Sequence, residues 1–186
     1  MAWIEIIDEN DASGRLRTVY SSVKSRRGKI INLMRTLSLN PQGLKAYSDL
    51  YVCLMIGQSS LSREQRELLA TAVSATNKSD YGISHHGEAL NYYWKNADRI
   101  KQFIDDIDSI YLPDKERAMI NYAVKITKNP SAITEEDIKK LRNAGFSDED
   151  ILNINLIASY FNFENRVAEG LGVEVTLDDL DSKFRI

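Results

Sequence analysis

The sequence predicts an all-α protein, and three observations lead there. Apolar residues recur at helical spacing in segment after segment. Proline and glycine are scarce, three and nine among 186 residues, and most of them fall between the periodic segments. Several segments also begin with a residue that caps a helix N-terminus.

The first predicted helix runs from about Ser13 to Arg27. Leu16, Val19, Tyr20 and Val23 form its apolar stripe, and Gly28 is its stop. Asn40-Pro41 opens the second, an N-cap followed by a first-turn proline. Leu44, Tyr47, Tyr51, Leu54 and Met55 are its apolar side, and Gly57 ends it. Ser62 and Gln65 read as a capping box for a helix carrying Leu68, Leu69, Ala72, Val73 and Ala75 to about Asn77. A further helix starts at Ser79 or Asp80 and reaches about Lys95, and a shorter one covers about Ala97 to Asp106. Pro113-Asp114 begins the next, which Asn129-Pro130 breaks. Thr134 caps a helix ending at Gly145, and Ser147 caps the last one, which extends toward Gly170. Both place acids in the first turn, where the helix dipole favours them. The tail from Val173 to Leu177 alternates and reads as a short extended arm. No low-complexity linker or repeat divides the chain, so residues 1–186 read as a single helical domain.

Composition removes several function classes. The formal net charge of -3 gives nucleic-acid binding no global electrostatic support. Arg26, Arg27 and Lys29 cluster, and they read as a solvated helix end whose cations suit the dipole. No apolar run approaches the roughly 20 residues of a membrane span, and the N-terminal residues lack the basic start of a signal peptide. A single cysteine, Cys53, forms no internal disulfide. These features predict a cytoplasmic protein in a reducing setting, without nucleic-acid or membrane partners. Cys53 lies among Tyr51, Leu54 and Met55 and reads as a buried small hydrophobe.

The densest chemistry lies in the segment from Glu67 through Asn77-Lys78-Ser79-Asp80-Tyr81-Gly82-Ile83-Ser84-His85-His86. Ser79 sits where a helix begins, and its simplest role is N-cap. Gly82 costs about 0.5–1 kcal/mol relative to Ala inside a helix, so room is wanted there for a ligand or a neighbouring side chain. Ser79, Gly82 and His86 fall on one helix face. Seven residues of helix rise about 10 Å, too far for a Ser79–His86 hydrolase dyad. His85 is rotated by roughly 100° from His86, which disfavours a metal shared by the two. Glu67, His86 and a water would make an incomplete ligand set, so no metal or cofactor is predicted. Glu67 is either a solvated helix position or a carboxylate facing His86, able with it to pass protons. Tyr81 reads as packing.

This frame resembles the core motif of the AhpD-like alkylhydroperoxidases, the peroxidase-related branch of the carboxymuconolactone decarboxylase-like group. The family has a Cys-x-x-Cys pair where Ser79 and Gly82 stand. The resemblance extends from Leu61-Ser62-Arg63 and Arg66-Glu67 to about residue 95. It continues in Thr134 to Ser147 and in Phe161-Asn162, Asn165-Arg166-Val167-Ala168 and Leu171-Gly172-Val173. It implies an all-α fold, a homo-oligomer (trimer or hexamer), and a proton relay at the positions of Glu67 and His86. It does not carry over the redox step, because serine and glycine form neither a disulfide nor a sulfenic acid.

Three functions compete on these residues. The first is an AhpD-like protein that lacks thiol hydroperoxidase activity and keeps a Glu67/His86 pocket for a small ligand. The second is an enzyme using the same pair in acid–base chemistry on a small lactone or carboxylate. The third is residual peroxidase activity through Cys53, which requires that thiol to be exposed in the same cavity.

Overall fold

The computed structural model describes residues 2–176 and 179–180, and all regular structure among them is helical. The order is α1 (Gly14–Arg27), α2 (Asn32–Thr36), α3 (Pro41–Tyr51), α4 (Arg63–Asn77), α5 (Asp80–Trp94), α6 (Ala97–Asp105), α7 (Asp114–Lys128), α8 (Glu135–Asn143) and α9 (Asp148–Gly170). The caps predicted at Asn40, Ser62 and Ser147 each accept a bond from a first-turn backbone N–H. Gly28 closes α1 in the left-handed conformation with φ 84°. Helix α2 is an addition: its five residues are too few for a periodic signal. Residues 173–176 form no strand, and Leu177 lies outside the described residues.

Helix α4 is the centre of the packing, lying against α5, α7 and α9. Leu69, Ala70, Ala72 and Val73 are fully enclosed there. The small residues on this helix let its neighbours approach closely, and the larger Leu90, Phe103, Met119, Ile120 and Phe161 fill the space between them. Only Lys78 and Ser79 separate α4 from α5. Lys78 makes the reversal in the left-handed region at φ 56°, a conformation that costs a residue with a Cβ about 1–2 kcal/mol. This short link fixes α5 against α4.

The second predicted helix does not run evenly to Gly57. At Val52 it widens into a π turn, Val52–Ile56. Leu54 and Met55 go inward, three and four residues after the buried Tyr51, while Cys53, two residues after it, falls on the opposite side and is exposed. Cys53 is therefore not the buried hydrophobe that its apolar neighbours imply. The wider turn also presents carbonyls that arginines take up. Arg63 Nη1 donates to Met55 O at 2.6 Å, and Arg66 Nη1 donates to Gly57 O at 2.9 Å.

Candidate functional site

Arg63 and Glu67 occupy neighbouring turns of α4, four residues apart and on one face. Arg63 Nε donates to Glu67 Oε1 at 2.8 Å, and its Nη2 lies 2.7 Å from the same oxygen. The other carboxylate oxygen, Oε2, lies 2.8 Å from His86 Nδ1 on α5. On the far side of the imidazole, Nε2 is 3.5 Å from Glu164 Oε1 on α9. Tyr47 of α3 completes the chain by donating its hydroxyl to Glu164 Oε2 at 2.6 Å. Phe161 meets the His86 ring edge-on at a centroid distance of 4.4 Å. Glu67, His86 and Glu164 are 1%, 5% and 3% exposed.

Burial alone would push the His86 pKa down, because it disfavours the charged ring. The hydrogen bonds and charges of Glu164 and Glu67 outweigh that and raise it to about 9. Burial would raise both carboxyls, but His86 with Arg63 on one side, and His86 with Tyr47 on the other, hold them below their ordinary range. The site is thus an imidazolium between two carboxylates. Its Nδ1 contact is a good hydrogen bond, whereas 3.5 Å at Nε2 is a loose one.

Glu164 carries no motif of its own and was not singled out from the sequence. Its only sequence trace is a lone acid just after Tyr160, Phe161 and Phe163, in a stretch that also carries Asn162, Asn165 and Arg166.

Ser79, Gly82 and His86 share a face of α5, and that face runs along α9. Ser79 is the N-cap, accepting from Gly82 N at 3.3 Å, and its hydroxyl donates to Glu169 Oε1 at 2.8 Å. At Gly82 there is no room for a ligand. A Cβ placed there would lie 2.3 Å from Ser74 Oγ and 2.5 Å from Asn165 Oδ1. The missing side chain is what lets α4 and α9 close over α5. Of the alternatives for Gly82, the neighbouring side chain is the one realised, and the accessibility of His86 has another origin.

That origin is a cavity of about 730 Å³ on the side of α1 and α3. His86, Glu67 and Glu164 form its floor, Tyr47, Tyr51, Tyr81 and Tyr93 contribute walls, and Arg27 stands at the rim of α1. Ser79, Gly82 and Cys53 do not line it. Tyr81 is buried, with its hydroxyl 3.4 Å from Leu33 N, and packs on His85 at 4.6 Å. His85 lines the same cavity despite its rotation from His86. The basic cluster is not a uniformly solvated helix end. Arg26 is exposed and paired with Asp49 at 2.7 Å, but the Arg27 guanidinium lies over the Tyr51 ring, 3.6 Å from its centroid.

The helical order is that of an AhpD-like all-α fold. The structure resembles the alkylhydroperoxidase AhpD core of an uncharacterized peroxidase-related protein from Ralstonia eutropha JMP134, with TM-score 0.84 and 26% identity over 96% of this chain and 94% of that one. A peroxidase-related protein from Silicibacter sp. TM1040 matches with TM-score 0.81 and 26% identity, over 98% of this chain and 93% of that one. The debrominase Bmp8, in complex with 2,3,4-tribromopyrrole, shares the fold at TM-score 0.76 and 20% identity, over 94% of this chain and 91% of that one. No family model and no curated protein matches the sequence. The chain shares the AhpD-like all-α fold of these peroxidase-related proteins.

Two outcomes follow from the geometry. Gly82→Ala must displace Ser74 and Asn165, and overpacking of this kind costs about 1–3 kcal/mol; chemical denaturation measures it, and adding Ser74→Gly restores part of the loss. The second concerns pH. His86 titrates near 9 in the fold against 6.5 ordinarily, so its stabilisation is complete below about 6.5 and lost as pH rises through 9. The unfolding free energy of the native protein is expected to fall over that window, and that of His86→Gln to fall much less.

Proposed function

We propose that this chain is a thiol-free AhpD-like protein, without hydroperoxidase activity, whose Glu67–His86–Glu164 group forms the floor of a binding pocket for a small molecule. The observation that carries this reading is the state of the α5 N-terminus. Ser79 and Gly82 supply no sulfur, and the contact at Gly82 is closed by Ser74 and Asn165. The redox positions are thus empty of chemistry and of space, while the His86 end of the same face opens on a cavity. Cys53 is exposed but lies outside that cavity, so a thiol there does not meet a ligand held over His86. One lone thiol also fits a reducing, cytoplasmic setting.

The purified protein is expected to consume cumene hydroperoxide with dithiothreitol at no more than the uncatalysed rate. Consumption above that rate would overturn the reading, and its loss in Cys53→Ala would assign it to the lone thiol.

The loose Nε2 contact favours a second reading, in which the pocket performs acid–base chemistry on a small lactone or carboxylate. An imidazolium with one weakly held proton is a general acid, and Glu67 would orient it. Here Glu67→Gln and His86→Gln are expected to lower turnover of such a substrate by about 10²-fold or more while circular dichroism shows folded protein. Unchanged turnover in both would remove the assignment.

We also infer a homo-oligomer. Leu152, Leu156 and Phe163 are exposed at helical spacing on α9, and Leu50 and Ile56 are exposed at and beyond the end of α3. Sedimentation is expected to give a multiple of the chain mass, reduced to the monomer by Leu152→Glu with Leu156→Glu.

A further inference from the structure

Arg27 is the last residue of α1, where a cation ordinarily reaches into water and complements the helix dipole. Its guanidinium instead turns inward and lies over the Tyr51 ring, 3.6 Å from the centroid. Nη1 is enclosed, and among the described residues nothing accepts its proton. A buried guanidinium N–H without an acceptor is costly and rare, and this one belongs to a group that keeps its charge at every accessible pH.

The other charges around the cavity are accounted for among the described residues. Arg63 is engaged by Glu67, and His86 lies between Glu67 and Glu164. Arg26 pairs with Asp49, and Lys29 donates to the carbonyl of Leu180. Asp179 accepts from the backbone of Asn32 and Thr176 and faces Arg35 at 4.0 Å. Glu164 contributes to the field at Arg27, but its two oxygens are directed to His86 and Tyr47. Among the described residues the cavity is therefore lined by one cation, Arg27, with an enclosed N–H at Nη1 that has no acceptor.

A second polar atom waits beside it. His85 Nε2 is enclosed and without a partner among the described residues. Burial, and then the charge of His86, push the His85 pKa down to about 4, so the ring is neutral and able to donate or accept. Tyr51, Tyr81 and Tyr93 give the cavity flat aromatic walls, and Ile31 and Ala89 add apolar surface. A volume near 730 Å³ is that of a small-molecule site.

From this juxtaposition we propose that the cavity selects a small carboxylate with a flat apolar body, its carboxylate seated on the Arg27 guanidinium and its body between the tyrosines. The proposal rests on the pocket reading given above and names its ligand class. A carboxylate supplies the acceptor that Nη1 lacks, in the plane where a guanidinium presents its donors. A neutral molecule of the same shape leaves the charge uncompensated, and a cation adds to it.

Benzoate and its uncharged counterpart benzamide test this by isothermal titration calorimetry at pH 7. Benzoate is expected to bind saturably and at least about tenfold more tightly than benzamide, the increment of one charge-assisted contact. Arg27→Gln should remove that advantage and leave benzamide affinity unchanged, and Arg27→Lys should retain part of it. Equal affinities for the two probes in the native protein, or benzoate affinity unchanged in Arg27→Gln, overturns the anion assignment while leaving a pocket. Binding of neither probe overturns the pocket reading as well. Should Arg27→Gln fail to fold, the native comparison of benzoate with benzamide decides alone.

Discussion

A line of charge crosses the middle of this protein, from Arg63 through Glu67, His86 and Glu164 to Tyr47, and it joins four helices. Each member comes from α3, α4, α5 or α9, and the groups between Arg63 and Tyr47 are almost wholly removed from water. Ions in such a place are tolerated only in company. Taking a carboxylate or an imidazolium out of water costs several kcal/mol per ion, and each here recovers that cost only through its neighbours. The consequence is geometric as much as energetic. The helices must sit where the bonds close, and removal of one partner strands another charge.

The same helices meet at Gly82, and there the constraint is steric. Asn165 and Ser74 occupy the volume that a side chain would need, so α9 lies against α5 along its whole first half. Going along that face, Ser79 meets Glu169, Gly82 meets Asn165 and His86 meets Glu164. Structural relatives with the AhpD core share this helical frame. In this chain the frame carries contacts of packing at its start and ionisable chemistry at its end. The cavity opens only at the ionisable end, bounded by the tyrosines of α3 and α5 and by Arg27.

Much of the architecture was legible because it is local. A cap and its first-turn acceptor are three residues apart, and an apolar stripe repeats every turn, so Ser62, Ser147, Asn40 and Gly28 mark boundaries without reference to the rest of the chain. The short α2 and the π turn at Val52 were not legible. Five residues carry too little periodicity for the first. The second leaves carbonyls that accept from arginines on α4, contacts that no local pattern records. The inside–outside assignment of Cys53 failed for another reason: apolar neighbours in sequence are not neighbours on the helix, and two residues past the buried Tyr51 the side chain points the other way.

The sequence by itself determined the all-α class, the order of the long helices, and the spacing that puts Ser79, Gly82 and His86 on one face of α5. It also excluded thiol chemistry at Ser79 and Gly82, since that follows from composition alone. The tertiary structure decided what those residues face. Glu67 meets His86 across nineteen residues of chain, Glu164 arrives from a helix far along the sequence, and Arg27 turns from solvent to a tyrosine ring. Such pairings are settled by how helices cross, and crossing is a property of the whole packed core. Periodicity along one helix shows which side is buried; only the neighbour packed against it decides whether that side finds a carboxylate, a methyl group or a cavity.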